Sequence, residues 1–206
     1  QIIPDHPGVN YAQARIMLEG GNVEGSLQEL AKVMNVAPDH LPSIYLAANA
    51  NFRDGNLATA ESHLTRFLAS QPRNINARQM LAAVHLQMGE PERAETLARR
   101  LLEELPMNAP TMNLLALALA AQGMHAASAD VYQDLAGVTP DSAPVHMELG
   151  TALVRAGDIG PGVAALETAR ELDPENTEVR YRLVRAHVAD GDSEAALAEL
   201  EAFRAS

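Results

Sequence analysis

Seven histidines and 27 acidic residues are the groups in this 206-residue chain with the chemistry for a metal site or an acid–base step. A metal needs at least two such ligands on one helix face or in one turn at ligand spacing. His6 and His40 each follow a Pro-Asp pair in a turn, His125 falls in a loop, His63 and His146 stand singly in helical stretches, and no two make that spacing. The acidic runs, such as Glu92, Glu95, Glu103 and Glu104, are interleaved with Arg93, Arg99 and Arg100 at helical spacing, the pattern of a solvated face. Gly160-Pro161-Gly162 lacks the strand–turn–helix setting of a phosphate-binding loop, and no nucleophile elbow or dinucleotide fingerprint is present. Without cysteine, thiol catalysis, thiolate zinc sites and disulfides are excluded. The sequence therefore predicts a protein that is not an enzyme and that carries no metal and no cofactor.

What remains is a surface, and charge restricts what can meet it. The formal net charge of -12 repels phosphate backbones and anionic headgroups, which argues against nucleic acid and membrane surfaces as partners. The longest apolar run, Leu114 to Ala121, falls far short of the roughly 18 residues that span a bilayer, so no direct membrane insertion is expected. There is no Trp, only four Tyr and three Phe, and an excess of Ala and Leu. That composition favours helices packed through small side chains over strands.

A strict period places those helices. Pro4, Pro38, Pro72, Pro106, Pro140 and Pro174 recur every 34 residues, and so do Gly21, Gly55, Gly89, Gly123, Gly157 and Gly191. Two residue types holding one spacing without an insertion mark stacked supersecondary units. With Pro at position 32 and Gly at position 15, the units run 7–40, 41–74, 75–108, 109–142, 143–176 and 177–206, and residues 1–6 form the tail of a preceding unit. Apolar residues fall at positions 7, 10, 11 and 12 and again at 20, 21, 24 and 27 in most units, so each unit is expected to be two helices. Gly at position 15 suits the left-handed end of the first helix. Asn22, Asn56, Asp158 and Asp192 can cap the second, and Asn74, Asn108, Ser142 and Asn176 the first helix of the next unit.

Position 8 (Ala14, Ala48, Ala82, Ala116, Gly150 and Val184) and position 20 (Ser26, Ala60, Ala94, Ser128, Gly162 and Ala196) are nearly all small, marking where the antiparallel pair crosses. His85 and His187 share position 11, where packing is expected. Both ends cut through a unit: Pro4-Asp5-His6 closes one whose helices are missing, and Ser206 stands at position 30, leaving Leu200 and Phe203 on an apolar face. A fragment of a longer array, open to self-association through its cut ends, is the expectation.

The period, the small-residue rows and the Gly and Pro positions resemble the tetratricopeptide repeats over the whole chain. Two rows depart from that family: position 4, often Trp, is Asn10, Ile44, Arg78, Met112, His146 and Arg180, and position 11, often aromatic, is Met17, Asn51, His85, Leu119, Leu153 and His187. The resemblance implies an all-α, right-handed superhelical solenoid without strands, whose first helices line a concave groove for a peptide or partner protein. Carried onto this chain, the groove residues are Tyr11, Arg15, Tyr45, Asn49, Phe52, Arg53, Gln79, Asn113, Met147, Thr151, Arg155, Tyr181 and Arg185.

Four of these are Arg on an acidic protein, with amide and apolar groups between them, which implies a partner segment with acidic flanks and an apolar centre. A solenoid also exposes surface without binding through it, and both readings stand at this level. The Lys-rich pattern that clamps chaperone C-termini is missing. Residues 59–102 and 157–174 further resemble the repeat lipoproteins that accompany bacterial exosortase (PEP-CTERM) systems. That implies a periplasmic, outer-membrane-associated scaffold for protein sorting or exopolysaccharide export, with a cytoplasmic location as the alternative. The rival expectation is a recruiting domain cut from a larger enzyme such as a glycosyltransferase.

Overall fold

Glycine and proline punctuation becomes helix boundary in the computed structural model, which describes residues 6–205 and the side chains of 6–201. Pro4, Asp5 and the Phe203 side chain, all used in the sequence argument, lie outside the described residues. Twelve helices and no strand are found among the described residues: α1 (Pro7–Glu19), α2 (Val23–Val36), α3 (Leu41–Arg53), α4 (Leu57–Ser70), α5 (Ile75–Gln87), α6 (Pro91–Glu104), α7 (Ala109–Ala121), α8 (His125–Val138), α9 (Ala143–Ala156), α10 (Ile159–Leu172), α11 (Thr177–Asp190) and α12 (Ser193–Ala205). The all-α class is as the sequence predicts. The six glycines at position 15 all have positive φ, from 74° to 97°, the left-handed region where a Cβ is disfavoured. No helix among the described residues is long and apolar enough to cross a membrane.

Capping follows the expectation only in part. Asn22, Asn74, Asn108 and Asn176 accept hydrogen bonds from backbone amides in the first turns of α2, α5, α7 and α11, and Asp192 accepts from Ala195 N at 3.0 Å. Asn56, Asp158 and Ser142 make no side-chain cap bond. The Asn56 side chain instead turns its Nδ2 to Asp54 Oδ2 at 2.6 Å, an orientation that leaves its Oδ1 off the helix amides. Asn74→Ala is therefore expected to destabilise the fold by about 1 kcal/mol. Asn56→Ala should cost clearly less, and equal shifts in urea unfolding of the two variants would contradict this account.

The chain forms two compact bodies, Gln1–Arg93 and Ala94–Ser206, with the boundary inside α6. In the first, Ile44, Ala48, Ala60, Leu64, Phe67, Ala77 and Val84 make the core among α3, α4 and α5, and Ala14, Leu30 and Ala47 join α1 and α2 to α3. In the second, Tyr132 is the largest fully buried side chain and sits with Met112, Leu135 and Leu149, while Leu166, Val179 and Leu183 form a further cluster. Every residue of the small row at position 20 is buried, and so are Ala14, Ala48, Ala82, Ala116 and Gly150 at position 8. The crossing of α7 and α8 is close enough for Ser128 Oγ to donate to Ala116 O at 2.9 Å, whereas Ser26 Oγ, in the same row, is buried with no hydrogen-bond partner among the described residues.

Candidate functional site

Positions 5, 9 and 13 are four residues apart, so Tyr11, Arg15 and Glu19 share one face of α1, and Tyr45, Asn49 and Arg53 share one face of α3. In the first body these two faces line one concavity of about 530 Å³. Its walls include Leu18, Leu41, Pro42, Leu46 and Phe67, and Gln71 and Asn74 close it beyond α4. The floor is thus apolar and the rim polar.

Four of the rim groups have specific contacts, and Asn49 Oδ1 has none. Arg53 Nη1 donates to Leu18 O at 3.1 Å, a last-turn carbonyl of α1 that also accepts from Gly21 N at 3.2 Å. The Arg53 bond ties the first helix of one repeat to the first helix of the next. Arg15 Nε lies 3.5 Å from Glu19 Oε1, an exposed pair worth a few tenths of a kcal/mol. The Tyr45 ring packs against Phe67 with centroids 5.1 Å apart, and burial raises the Tyr45 phenol above its ordinary value, so it stays neutral. Tyr11 meets the His40 ring edge-on at 5.5 Å, and His40 Nδ1 lies 2.8 Å from Ser43 Oγ. Asn49 Oδ1 is buried with no hydrogen-bond partner among the described residues.

The remaining predicted groove residues have varied placements. Phe52 is half-buried and packs on the core of the first body rather than lining the concavity, and Met147 packs beside Leu166 and Leu183 in the second. Gln79 is half-buried on α5. Asn113 Oδ1 accepts from Tyr132 Oη at 3.3 Å, so this amide serves a buried phenol. Thr151, Arg155 and Arg185 line a second, smaller concavity of about 190 Å³ in the second body, with Glu178 and Arg182. Tyr181 stands 57% exposed outside it with the Arg185 guanidinium 5.9 Å from its ring centroid. Sequence reasoning missed Leu18, Leu46, Phe67, Glu178 and Arg182. Leu46 and Arg182 both stand at position 6, one residue beyond the aromatic row, and a full helical-wheel projection of the first helices would have included them.

His85 is buried, as expected for position 11, but it is not a passive filler. Its Nδ1 lies 3.0 Å from Glu90 Oε2 and its Nε2 4.0 Å from Glu61 Oε1, while Arg93 bonds both carboxylates at 2.6 and 2.7 Å. Glu90 is held below the usual carboxylate range, first by the Arg93 bond and also by His85, against an opposing effect of desolvation. The network joins α4, α5 and the start of α6. No group of three metal-binding side chains converges among the described residues.

A family model described as tetratricopeptide repeat matches residues 51–118 and 156–205. Among solved structures, "MamA 41-end from Desulfovibrio magneticus RS-1" superposes with a TM-score of 0.76 at 19% identity, covering 83% of this chain and 97% of that one. A tetratricopeptide repeat protein from Parabacteroides merdae ATCC 43184 gives 0.82 at 15% identity, covering 95% of this chain and 77% of its own. YrrB, described as a TPR protein with an unusual peptide-binding site, gives 0.70 at 15% identity over 87% of this chain and 93% of its own. No curated protein matches the chain by sequence. Identities this low speak for the fold alone; the family model, the unbroken 34-residue period and the twelve paired helices together establish that the chain belongs to the tetratricopeptide repeat family.

Proposed function

We propose that the chain is a non-catalytic scaffold that holds an extended segment of a partner protein in the concavity between α1 and α3. The observation that carries this reading is the convergence of Tyr11, Arg15, Tyr45, Asn49 and Arg53 on one apolar-floored hollow of about 530 Å³. Tyr and Arg over an apolar floor are the side chains that dominate binding energy at protein interfaces. Arg53 satisfies only a neutral carbonyl and no carboxylate among the described residues, so its charge is free to meet an acidic flank of the segment. An apolar centre then covers the half-buried Leu46 and Tyr45.

A labelled peptide with Leu and Phe between paired aspartates is the probe, read by fluorescence anisotropy. Arg53→Glu is expected to weaken its binding by about tenfold or more, with the difference shrinking as salt rises. The variant also loses the bond to Leu18 O, so its stability should fall by about 1 kcal/mol, and binding is compared where both proteins are fully folded. Arg100→Glu, an exposed arginine on α6 that lines neither concavity, is the control. Equal loss from both reversals would reduce the groove to general electrostatics. The bacterial envelope setting, with a part in protein sorting or exopolysaccharide export, is supported by the sequence resemblance of residues 59–102 and 157–174, and fractionation of the native protein tests it.

A further inference from the structure

The concavity of the second body differs in chemistry from that of the first. Three arginines, Arg155 from α9 and Arg182 and Arg185 from α11, line a hollow of about 190 Å³ on a chain of net charge -12. Arg182 is committed: its Nη1 bonds Glu148 Oε1 at 2.9 Å and Thr151 Oγ1 at 2.8 Å, and its Nε bonds Glu178 Oε1 at 2.8 Å. Thr151 Oγ1 in turn donates to Met147 O, so its one hydrogen is taken. Arg155 and Arg185 line the hollow without a carboxylate partner among the described residues, Arg185 with the Tyr181 ring 5.9 Å from its guanidinium.

We infer that this hollow is a subsite for one acidic side chain of a partner protein, its carboxylate held by Arg155 and Arg185 and its methylene stem laid on Val154 and Ala189. The charge balance selects a monoanion. Three guanidinium groups less the carboxylates of Glu148 and Glu178 leave one net positive charge, which one carboxylate neutralises and a phosphoryl dianion would overshoot. Glu178, which also lines the hollow, repels any second negative charge. The stem matters because apolar walls shorten the reach of water and strengthen the ion pairs they enclose.

This inference rests on the reading of the chain as a partner-binding scaffold, but it concerns a different hollow, and its test is independent of the first. The probe is the blocked peptide acetyl-Ala-Glu-Ala-amide, titrated into the 206-residue chain and followed by NMR at arginine Nε–H and backbone amides. Shifts should concentrate at Arg155, Arg185, Ala186 and Ala189 and leave Tyr45 and Asn49 unmoved. Arg155→Gln and Arg185→Gln should each raise Kd about tenfold, while Arg100→Gln changes nothing. Glu178→Gln should strengthen binding by about twofold to fivefold, a gain that misfolding does not mimic. The Gln counterpart of the peptide should bind negligibly. Shifts scattered over both bodies, equal binding of the Gln peptide, or no gain from Glu178→Gln would each overturn the inference. Tighter binding of a phosphoserine peptide at the same residues would overturn the choice of a carboxylate. Binding here with no effect of Arg53→Glu on the first groove's probe would instead count against the proposed function and leave this subsite standing.

Discussion

Gly150→Ala is expected to destabilise the protein by about 1–3 kcal/mol, although alanine is the better helix former. Propensity alone argues the other way: Gly150 lies inside α9, where Ala should gain about 0.5–1 kcal/mol. The decisive fact is space. A Cβ at position 150 would stand 2.6 Å from Leu166 Cγ, 2.7 Å from Gly162 O and 3.1 Å from Leu166 N, so the backbone of α10 as well as a side chain must move. Gly162 is the reciprocal residue, its Cβ position 2.6 Å from Val154 Cγ2 and 3.0 Å from Gly150 O. These two glycines let α9 and α10 touch backbone to backbone, where alanines and serines hold the other pairs slightly apart.

Gly160 supplies the matched control. It lies in the same helix, two residues from Gly162, and a Cβ there meets nothing within 4 Å. Pro161, the next residue, disfavours helical backbone at a preceding residue with a Cβ and offsets the gain from a less flexible unfolded chain, so Gly160→Ala should stay within about 1 kcal/mol of neutral. Urea unfolding of the two variants checks the difference between them, and Gly150→Val should be worse than Gly150→Ala. A stabilised Gly150→Ala would mean that α9 and α10 do not approach as closely as described.

The two glycines also show what was legible beforehand and what was not. Their places in the small-residue rows at positions 8 and 20 marked the helix crossing from sequence, because a fixed period transfers one geometric constraint to every repeat. Helix starts and left-handed glycines were readable for the same reason. The fate of polar side chains was not. Asn56 and Asn22 hold the same position, yet Asn56 turns to Asp54, a neighbour that the other repeat lacks. Arg182 reaches Glu148 and Thr151, more than 30 residues away, and Arg53 reaches Leu18 O across a similar separation. Such choices depend on which partners happen to face each other between adjacent repeats. Periodicity fixes the register of a side chain but leaves its competitors for hydrogen bonds undetermined. Phe52 illustrates the apolar case: one position before Arg53 on α3, it packs on the core of the first body and stays out of the hollow that Arg53 lines.

Asn49→Leu should make the free protein more stable and a poorer binder. Asn49 lies mid-helix in α3, and its Oδ1 is buried without a partner among the described residues. A buried acceptor left unpaired is unfavourable by about 1–3 kcal/mol, and Leu removes it while also favouring the helix more than Asn does. Leu46, Tyr45 and Leu18 around the same hollow give the new side chain apolar neighbours. A net gain of about 1 kcal/mol is expected, allowing for imperfect packing of the branched side chain. Among the unpartnered buried polar atoms of the described residues, Ser26 Oγ, Glu29 Oε2, Asn49 Oδ1 and His125 Nδ1, that of Asn49 is the one on a residue lining this hollow, where an amide beside the aromatic floor can bond the backbone of an extended segment. The two measurements are a urea midpoint and the anisotropy titration of the Leu-Phe peptide with aspartate flanks, in which Asn49→Leu should weaken binding about tenfold. Loss of stability in the variant would show that Oδ1 is satisfied in solution. Gain of stability with binding unchanged would remove Asn49 from the recognition surface and leave recognition to Tyr45 and Arg53.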